Sequence, residues 1–480
     1  MERLRGMDAA FLALETPAMH MHMVGVLVFE PPEHALLEPP AVQVERMRRV
    51  VAERLHLVPL LRRRVVPVPF GMGHPLWADD PGFDLDYHLQ RASLPAPGGV
   101  AELGAFVSAV AGRPLDLSRP LWEMHVVEGL ESGHVAVVTK LHHAVIDGVS
   151  GAETLAAFLD TGPEERVIAP SPRKWRPGAV PGDLEVLASS LSSLTRQPER
   201  AIETVRRTLG ALHQLSERNR RLREEDEMEP PPAPFRAPRT SLNGAISAQR
   251  RVGLAEVPLD EVQRVRHVFG GTLNDVVLAA VAGALRRLLS ERGETPEESL
   301  VAMVPISVRS EADRGTQGNK LSAMLVSLAT TVADPVERLR LVSEGTRLAK
   351  EQARVLSEDL VRGWAQLAFP AFSARLARLS SNLRLFDRLP PLFNVVVSNI
   401  PGPPVPLWWG GARLAALYPV GPILEGVGLN VTVISYTGTL YLGLTGCREL
   451  VPEVEHVATL LSDTFGDLSK AAVRHGGQWG

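Results

Sequence analysis

Apolar residues in the first part of the chain occur in short runs, separated by turn-forming segments or by segments with helical spacing. Short apolar runs with polar ends predict buried β-strands. The predicted strands are Met23–Phe29, Arg62–Val68, Leu121–Glu128 and His134–Leu141, with a turn at Glu131-Ser132-Gly133 between the last two. The predicted helices are Ala41–Leu57, Ala101–Gly112 and Ser150–Leu159. Interleaved strands and helices of this kind are typical of an α/β domain.

A change of composition at Thr161 marks the end of this first domain. The following segment, 161–239, is rich in proline, arginine and glutamate, and an amphipathic helix is expected within it from about Leu184 to Arg223. A long segment of this composition predicts a partly helical crossover linker.

A second series of elements follows the linker. The predicted strands are Arg250–Val257, Leu300–Ile306, Leu321–Leu328, Asn394–Ser398, Leu429–Thr437 and Leu440–Thr445. The predicted helices are Leu259–Phe269, Asn274–Glu291, a helical region from Pro335 to Arg388, and a last helix from Val451. The sequence thus predicts an α/β fold with two sandwich domains, 1–160 and 240–480, joined by the linker 161–239. A chain of 480 residues is long enough for two cores of roughly 200 residues each.

Composition narrows the class of partner. With 45% apolar and 22% charged residues, the chain is typical of a globular protein. Its net charge of −4 gives no electrostatic reason for a polyanionic partner, so nucleic acid is not expected. Cys447 is the only cysteine, which excludes an intrachain disulfide and a cysteine-built zinc site.

The apolar segments give no sign of export or of membrane insertion. The N-terminus lacks the apolar core of a signal peptide, and no run of about 18 uninterrupted apolar residues occurs. We therefore expect a cytoplasmic protein without a transmembrane segment, either soluble or peripherally bound.

The most distinctive polar cluster follows the predicted strand His134–Leu141. It reads His142-His143-Ala144-Val145-Ile146-Asp147-Gly148. If the strand continued through both histidines, their side chains would point to opposite faces, so only one imidazole would line a given cavity. A neutral imidazole, with an ordinary pKa of about 6.5, suits the removal of a proton from an alcohol. Asp147 is suited to close the turn or to hold a cation, and Gly148 permits tight backbone geometry.

The residues alone leave other interpretations of this cluster. A His-x3-Asp pair is a possible metal site, but no third ligand is signalled nearby. A serine-hydrolase elbow requires G-x-S-x-G, and Gly148-Val149-Ser150-Gly151-Ala152 lacks the final glycine. Two ordinary histidines at a strand end remain an alternative.

Further motifs give the cluster a family context. His142–Gly148 matches HHxxxDG, the signature of the superfamily that includes chloramphenicol acetyltransferase, plant BAHD-type acyltransferases, carnitine acyltransferases and condensation domains. The chain closely resembles the bacterial wax ester synthase/diacylglycerol acyltransferases within it. The resemblance also rests on MDAAFLALETPAMHMH (Met7–His22), Pro120-Leu121-Trp122, Asn274-Asp275, VVVSNIPGPP (Val395–Pro404) and a C-terminal block, Gly428–Pro452. These motifs span almost the whole chain, with the weakest coverage in the linker.

The resemblance implies two chloramphenicol-acetyltransferase-like domains with an active-site tunnel between them. It implies that His143 is the general base, which takes a proton from the acceptor hydroxyl and returns one to the departing coenzyme A thiolate without an acyl-enzyme. His142, Asp147 and Gly148 support the motif. Asp147 in this superfamily usually pairs with an arginine, and the candidate partners are Arg62 and Arg64, which alternate on a predicted strand.

Other site residues are expected with less direct support. Ser398, with its neighbour Asn399, is the candidate donor to the oxyanion, because related carnitine enzymes carry a hydroxyl residue there; alternatively Ser398 satisfies the turn before Pro401. Asn274 has the character of a helix N-cap, with Asp275 near the positive helix end. Trp122, in the Pro120-Leu121-Trp122 motif, is expected in the wall of the acyl tunnel or in the core.

The implied partners are acyl-CoA, a long-chain alcohol or diacylglycerol, and a lipid surface, either the inner membrane or lipid droplets. No metal or other cofactor is implied. The segment Phe369–Phe393 combines leucines with arginines in a pattern typical either of a helix on a membrane or droplet surface or of a core-facing helix with a solvated face. Two alternative functions remain: transfer to another alcohol acceptor, and a catalytically silent lipid-binding protein on the same fold. The intact His143 argues against the silent protein.

Overall fold

The structure is a computed structural model that describes residues 2–4, 6–32, 40–69, 73–145, 154–171, 175–179, 182, 185–186, 232, 236–295, 297–307, 321–355, 379 and 383–476. Its strands are β1 (Glu2–Arg3), β2 (His22–Glu30), β3 (Arg63–Val66), β4 (Leu76–Asp79), β5 (Leu89–Ser93), β6 (Trp122–Glu128), β7 (Val135–His142), β8 (Arg250–Pro258), β9 (Val301–Ser307), β10 (Leu321–Ser327), β11 (Val395–Ile400), β12 (Trp408–Trp409), β13 (Ala412–Val420), β14 (Leu429–Tyr436) and β15 (Thr439–Cys447). Its helices are α1 (Gly6–Leu14), α2 (Pro40–Arg54), α3 (Leu85–His88), α4 (Val100–Ala111), α5 (Leu259–Phe269), α6 (Leu273–Glu291), α7 (Pro335–Val355) and α8 (Val454–Gly476).

One six-stranded sheet carries the histidine motif. Its strand order is β12-β13-β2-β7-β6-β5, so strands from the second half of the sequence extend a sheet built in the first half. β13 lies antiparallel to β2, with Leu417 opposite Leu27. The two predicted domains therefore share this sheet, and the division at 160 and 239 stays a prediction. β13 itself was not predicted.

A second six-stranded sheet has the order β10-β9-β11-β14-β15-β8. Side chains alternate in direction along a strand, and on this sheet one set is consistently aliphatic: Val395 and Val397 on β11, with Val431 and Val433 on β14. This apolar face packs against helices α5, α6, α7 and α8 in one continuous core. Burial of these side chains stabilises the layer by roughly 25 cal/mol for each Å² of apolar surface removed from water.

The opposite face of this sheet meets the histidine-bearing half. Ile434 and Tyr436 of β14 belong to the same buried cluster as Leu27 and Phe29 of β2. Helix α4 also bridges the halves, because the Ser108 hydroxyl accepts a hydrogen bond of 2.9 Å from the Val252 amide. The result is a mixed α/β fold of two sandwiches, as predicted.

The structure corrects two local predictions. Helix α6 is capped by Thr272 and not by Asn274: the Thr272 hydroxyl accepts from the Asp275 amide at 3.3 Å, and the Thr272 amide donates to the Asp275 carboxylate at 2.7 Å. Thr272 takes this role because its extended backbone aims the hydroxyl at the helix start, a capping-box arrangement. Arg62 lies in a 3₁₀ turn, Pro59–Arg62, so it does not alternate with Arg64 on one strand.

No single helix among the described residues has both the length and the apolar composition of a membrane span. Helices α5 and α6, which meet at 101°, pass that test only when taken together.

Candidate active site

His143 stands in the turn that directly follows β7. The strand ends at His142, and residues 143–145 form the turn. The His143 amide donates to the Met21 carbonyl at 2.8 Å, and its imidazole stacks on the Phe11 ring with centroids 4.8 Å apart. The side chain is only partly buried. The imidazole is therefore fixed from the N-terminal segment while one part of its surface stays accessible.

His142 has the opposite environment, because its side chain is completely buried. Its Nδ1 accepts a hydrogen bond of 2.9 Å from the Ala144 amide. A backbone N–H only donates, so the proton of a neutral His142 imidazole must be on Nε2. That Nε2 lies 3.2 Å from the Glu15 carboxylate. His142 thus links Glu15 to the turn that carries His143. The strand ends at His142, so the two histidines do not alternate along one strand, and their different environments arise where the turn begins.

Glu15 holds a second imidazole in the same way. The His22 Nε2 also lies 3.2 Å from Glu15 Oε1, and that oxygen accepts from the Met21 amide at 3.0 Å. Burial opposes ionisation of Glu15, but the contacts with His142 and His22 outweigh it and hold the pKa of the carboxyl well below its ordinary value. Burial lowers the pKa of His22 to about 4 despite its contact with Glu15. At neutral pH the pair is therefore a carboxylate beside a neutral imidazole.

Glu15 and His22 were not identified as site residues from the sequence. Both lie in the Met7–His22 block, where Glu15 is the one acidic residue between Phe11 and His22. A lone carboxylate followed by histidines is a usable signal. We name Glu15, His22 and His142 the inner cluster.

The N-terminal segment also reaches the second half of the chain. The Arg250 guanidinium donates to the Ala18 carbonyl at 2.5 Å, and the Glu425 amide lies 3.1 Å from the Met19 sulfur. Met19 and Met21 pack in one buried cluster with Ile423. The residues that hold His143 therefore lie at the boundary between the two sheets.

Ser398 and Asn399 lie on β11, where Ser398 pairs with Thr432 of β14. Neighbouring side chains of a strand point to opposite faces. Val397, the neighbour of Ser398, packs in the helix-covered core, whereas Ile400, two residues on, packs against the cluster of the histidine-bearing sheet. Ser398 therefore shares the inter-sheet face, and Asn399 faces the helix layer.

The Pro120-Leu121-Trp122 motif supports the histidine strand from its other side. The Leu121 carbonyl accepts from the His142 amide at 3.1 Å. The Trp122 side chain is buried, donates to the Leu61 carbonyl at 2.8 Å and stacks on His88. Trp122 is thus a core residue of this sheet. Pro120 pairs with Arg64 in an isolated antiparallel β-bridge.

The partner of Asp147 stays a prediction, because Asp147 and Gly148 lie outside the described residues. The candidate partners have other contacts: the Arg62 guanidinium lies 4.8 Å from the Trp175 ring, and Arg64 donates to the Ser118 carbonyl at 3.4 Å. Within the described ranges, no group of three or more histidine, cysteine or acidic side chains has the arrangement of a metal site.

Comparison with known families agrees with this architecture. Residues 4–277 match the wax ester synthase/diacylglycerol acyltransferase catalytic domain, and residues 317–469 match the C-terminal domain of the same family. A Mycobacterium tuberculosis protein named for diacylglycerol O-acyltransferase activity is 35% identical over 469 residues, which cover 98% of this chain and 90% of that protein. Another from the same species is 37% identical over 440 residues, covering 91% and 90%.

Solved structures give the same result. The wax ester synthase/diacylglycerol acyltransferase from Marinobacter aquaeolei VT8 superposes with a TM-score of 0.69 at 28% identity, covering 98% of this chain and 99% of that one. The first condensation domain of the calcium-dependent antibiotic synthetase, at 18% identity and a TM-score of 0.56 with 98% and 97% coverage, shares the fold. The chain belongs to the wax ester synthase/diacylglycerol acyltransferase family and is an acyl-CoA-dependent O-acyltransferase.

Proposed function

We propose that the protein transfers a long-chain acyl group from acyl-CoA to the hydroxyl of diacylglycerol or of a long-chain alcohol, with His143 as the general base. The observation that carries the proposal is the contrast between neighbouring imidazoles. His142 is fully buried and held near Glu15, whereas His143 is partly accessible in the turn that this contact supports. A catalytic base needs both properties, a fixed position and access to substrate.

The proposed reaction balances with the imidazole alone. His143 Nε2 accepts the proton of the acceptor hydroxyl while the oxygen attacks the thioester carbonyl. The C–O bond forms, the carbonyl electrons move to oxygen, and their return breaks the C–S bond. The imidazolium then gives its proton to the thiolate. Nε2 is assigned because Nδ1 of His143 is buried. No atom is oxidised or reduced, and the proton taken from the hydroxyl is the one given to the thiolate. We therefore propose that no metal or other cofactor takes part.

The inter-sheet position of Ser398 supports it as a donor to the tetrahedral oxyanion. Ser398 pairs with Thr432 of the neighbouring strand, and the side chains on that face of the sheet point toward the histidine-bearing half. A donor of this kind contributes about 3 kcal/mol to transition-state stabilisation. Asn399, which faces the helix layer, is the less suitable candidate.

We also propose that the segment Phe369–Phe393 contacts a lipid surface. Only residue 379 and residues from 383 onward fall within its described part. There, Leu379, Leu383, Leu389 and Leu392 have exposed side chains. Exposed leucines near arginines are typical of an interfacial segment.

The double substitution Leu383→Ser with Leu389→Ser should weaken pelleting of the protein with lipid vesicles roughly tenfold or more. The control Leu57→Ser, which changes an exposed leucine elsewhere, should leave pelleting unchanged. Equal pelleting of all variants would contradict the proposal.

The acyl transfer is tested by product analysis with purified protein. Palmitoyl-CoA is supplied with hexadecanol or with dioleoylglycerol, and thiol release is measured together with the ester formed. Stoichiometric thiol and ester are expected. Without acceptor, intact-mass measurement should show no palmitoyl adduct, because the mechanism forms no acyl-enzyme. A stable adduct would contradict the mechanism, and absence of both esters would contradict the proposed acceptors.

A further inference from the structure

A second charged site lies in the helix layer of the second sheet, between α6, α7 and α8. It is a cavity of about 310 Å³. Its wall contains five cationic side chains and one acidic side chain: Arg286, Arg287, Arg338, Lys470, Arg474 and Asp467. We name it the helix-layer pocket. An excess of cations is unexpected in a chain whose net charge is −4.

The pocket is distinct from the candidate active site. Arg286 donates to the Thr330 carbonyl at 2.8 Å, and the Thr330 hydroxyl accepts from the Leu300 amide, just before β9 begins. Strand β11 runs parallel to β9. Ser398 follows the part of β11 that pairs with β9. The pocket and Ser398 are thus near opposite ends of these strands.

Arg338 is the best-placed cation in this pocket, because only 5% of its surface is exposed. Its Nη1 donates to the Val332 carbonyl at 2.8 Å, which fixes the guanidinium. Its Nε is buried, and no acceptor for it exists among the described residues. Burial, together with Arg286 and Arg287, lowers the pKa of Arg338 to about 10. The arginine stays charged at neutral pH, with its charge incompletely compensated.

The fold makes space for this guanidinium. Gly283 lies in the middle of α6, where glycine costs a helix about 1 kcal/mol relative to alanine. A Cβ at this position would lie 2.8 Å from the Arg338 Nη2 and 2.5 Å from the Thr464 side chain. The glycine therefore allows Arg338 to lie against α6 inside the pocket.

The acidic side chain does not neutralise the pocket. Asp467 pairs with Arg287. In the described part of the chain, no carboxylate lies within salt-bridge distance of Arg286, Arg338 or Lys470. Crowded cations that remain unpaired in a cavity are energetically unfavourable unless an anion joins them.

We propose that the helix-layer pocket binds a phosphoryl group, as a free phosphate ester or pyrophosphate or as the headgroup of an anionic phospholipid. Guanidinium groups match phosphate oxygens in geometry and charge. The volume lies at the lower end of the range of ligand pockets, about 300–1,000 Å³, so it suits a small phosphate group better than a whole coenzyme. The proposal is independent of acyl transfer, since binding is measured without acyl-CoA.

The test uses the full chain and two probes. Pyrophosphate binding is followed by calorimetry, and vesicles of phosphatidylglycerol in phosphatidylcholine are used for flotation. Lys470→Gln with Arg474→Gln removes two exposed cations of the rim, so the core packing is spared. Arg338→Gln removes the buried one. Whichever of the two probes the wild type binds, each variant should bind it roughly tenfold more weakly or worse, because hydrogen bonds to charged groups are lost.

Arg264→Gln on α5 is the matched control, since it removes one arginine outside the pocket and should bind within twofold of the wild type. Loss of pyrophosphate binding in the rim variant identifies a soluble phosphate, and loss of flotation alone identifies a lipid headgroup; both support the proposal. If Arg338→Gln fails to fold, the rim variant decides. Binding of neither probe, or equal binding by the rim variant and the control, overturns it.

Discussion

The inner cluster and the helix-layer pocket both bring ionisable groups together around a buried side chain, but they balance charge differently. In the inner cluster, Glu15 is one partly buried carboxylate that lies near two imidazoles, and burial keeps His22 neutral. In the helix-layer pocket, five cations share one carboxylate, and Arg338 has a buried nitrogen without a described acceptor. In the first group the carboxylate has its neighbours within the protein, and the second group is completed by a ligand.

The difference shows how buried charge serves two purposes. A carboxylate with several neighbours in the protein holds those neighbours in one arrangement. Here that arrangement runs from Glu15 through His142 to the turn of His143. An uncompensated group, by contrast, favours binding of the opposite charge. The inner cluster is therefore assigned to positioning and the helix-layer pocket to binding.

Among the changes that compare these two regions, the largest effect is expected from Glu15→Gln. The Met21 amide, His22 and His142 all approach the same oxygen, Glu15 Oε1, and the uncharged amide oxygen of glutamine is a weaker acceptor than this carboxylate oxygen. We expect kcat to fall roughly 10- to 100-fold through misplacement of His143, with KM nearly unchanged. The free energy of unfolding should fall by roughly 1–3 kcal/mol.

The matched control is Glu165→Gln, which removes a carboxylate paired with Arg49 on an exposed surface. Exposed pairs contribute less than about 1 kcal/mol, so both kcat and stability should stay near the wild type. If Glu15→Gln raised KM and left kcat unchanged, Glu15 would not be a positioning residue.

Acid should weaken the inner cluster, where His22 is buried and neutral. The pKa of His22 is about 4 in the folded chain and about 6.5 when exposed, so between these values the unfolded chain binds a proton that the folded chain does not. Stability contributed by His22 is therefore present above pH 6.5 and is lost as the pH falls toward 4. The depressed pKa of Glu15 adds a loss only below its ordinary value.

Urea unfolding at about pH 7.5 and about pH 5 measures this effect. The wild type should lose roughly 2 kcal/mol more between these pH values than His22→Gln does. The exposed His456→Gln should retain the wild-type loss. Equal losses in all three proteins would contradict the assignment of a neutral, buried His22.

A last comparison concerns the helix-layer pocket and the stability of the fold around it. Gly283→Ala should destabilise the protein by roughly 1–3 kcal/mol, because its Cβ would overlap Thr464 and Arg338. Gly466→Ala, in α8, has no atom within 4 Å of the added Cβ and should stabilise by up to about 1 kcal/mol. Thermal unfolding of both variants gives the comparison. A rise in Tm for Gly283→Ala would show that the pocket does not require the glycine.

Local sequence patterns predicted much of the fold. Helix α5 has the predicted bounds, Leu259–Phe269, because its apolar residues keep helical spacing throughout. Strand β13 was missed, although its residues are apolar, since nothing local indicates that it crosses to the other sheet. The cap of α6 was assigned to Asn274, but the pattern Thr-x-x-Asp that begins at Thr272 already contained the answer.

The candidate site was only half predictable. His143 is marked by a compact motif, so one stretch of sequence suffices to find it. Glu15 lies beside both His22 and His142, and these two histidines are brought together by the pairing of β2 with β7. Arg338 and Lys470 meet only when α7 and α8 pack beside α6. Contacts between distant segments depend on tertiary packing, which periodicity does not report.

The most direct test of the account is the rate of thiol release by His143→Ala, measured with saturating palmitoyl-CoA and acceptor beside the His56→Ala control. General-base catalysis contributes roughly 10²- to 10⁴-fold, so the His143 variant should lose that factor in kcat, keep the wild-type Tm and recover part of the rate with added imidazole. His56, half-buried in the turn that follows α2, should be dispensable. A His143→Ala protein that turns over within a few-fold of the wild type would contradict the central claim.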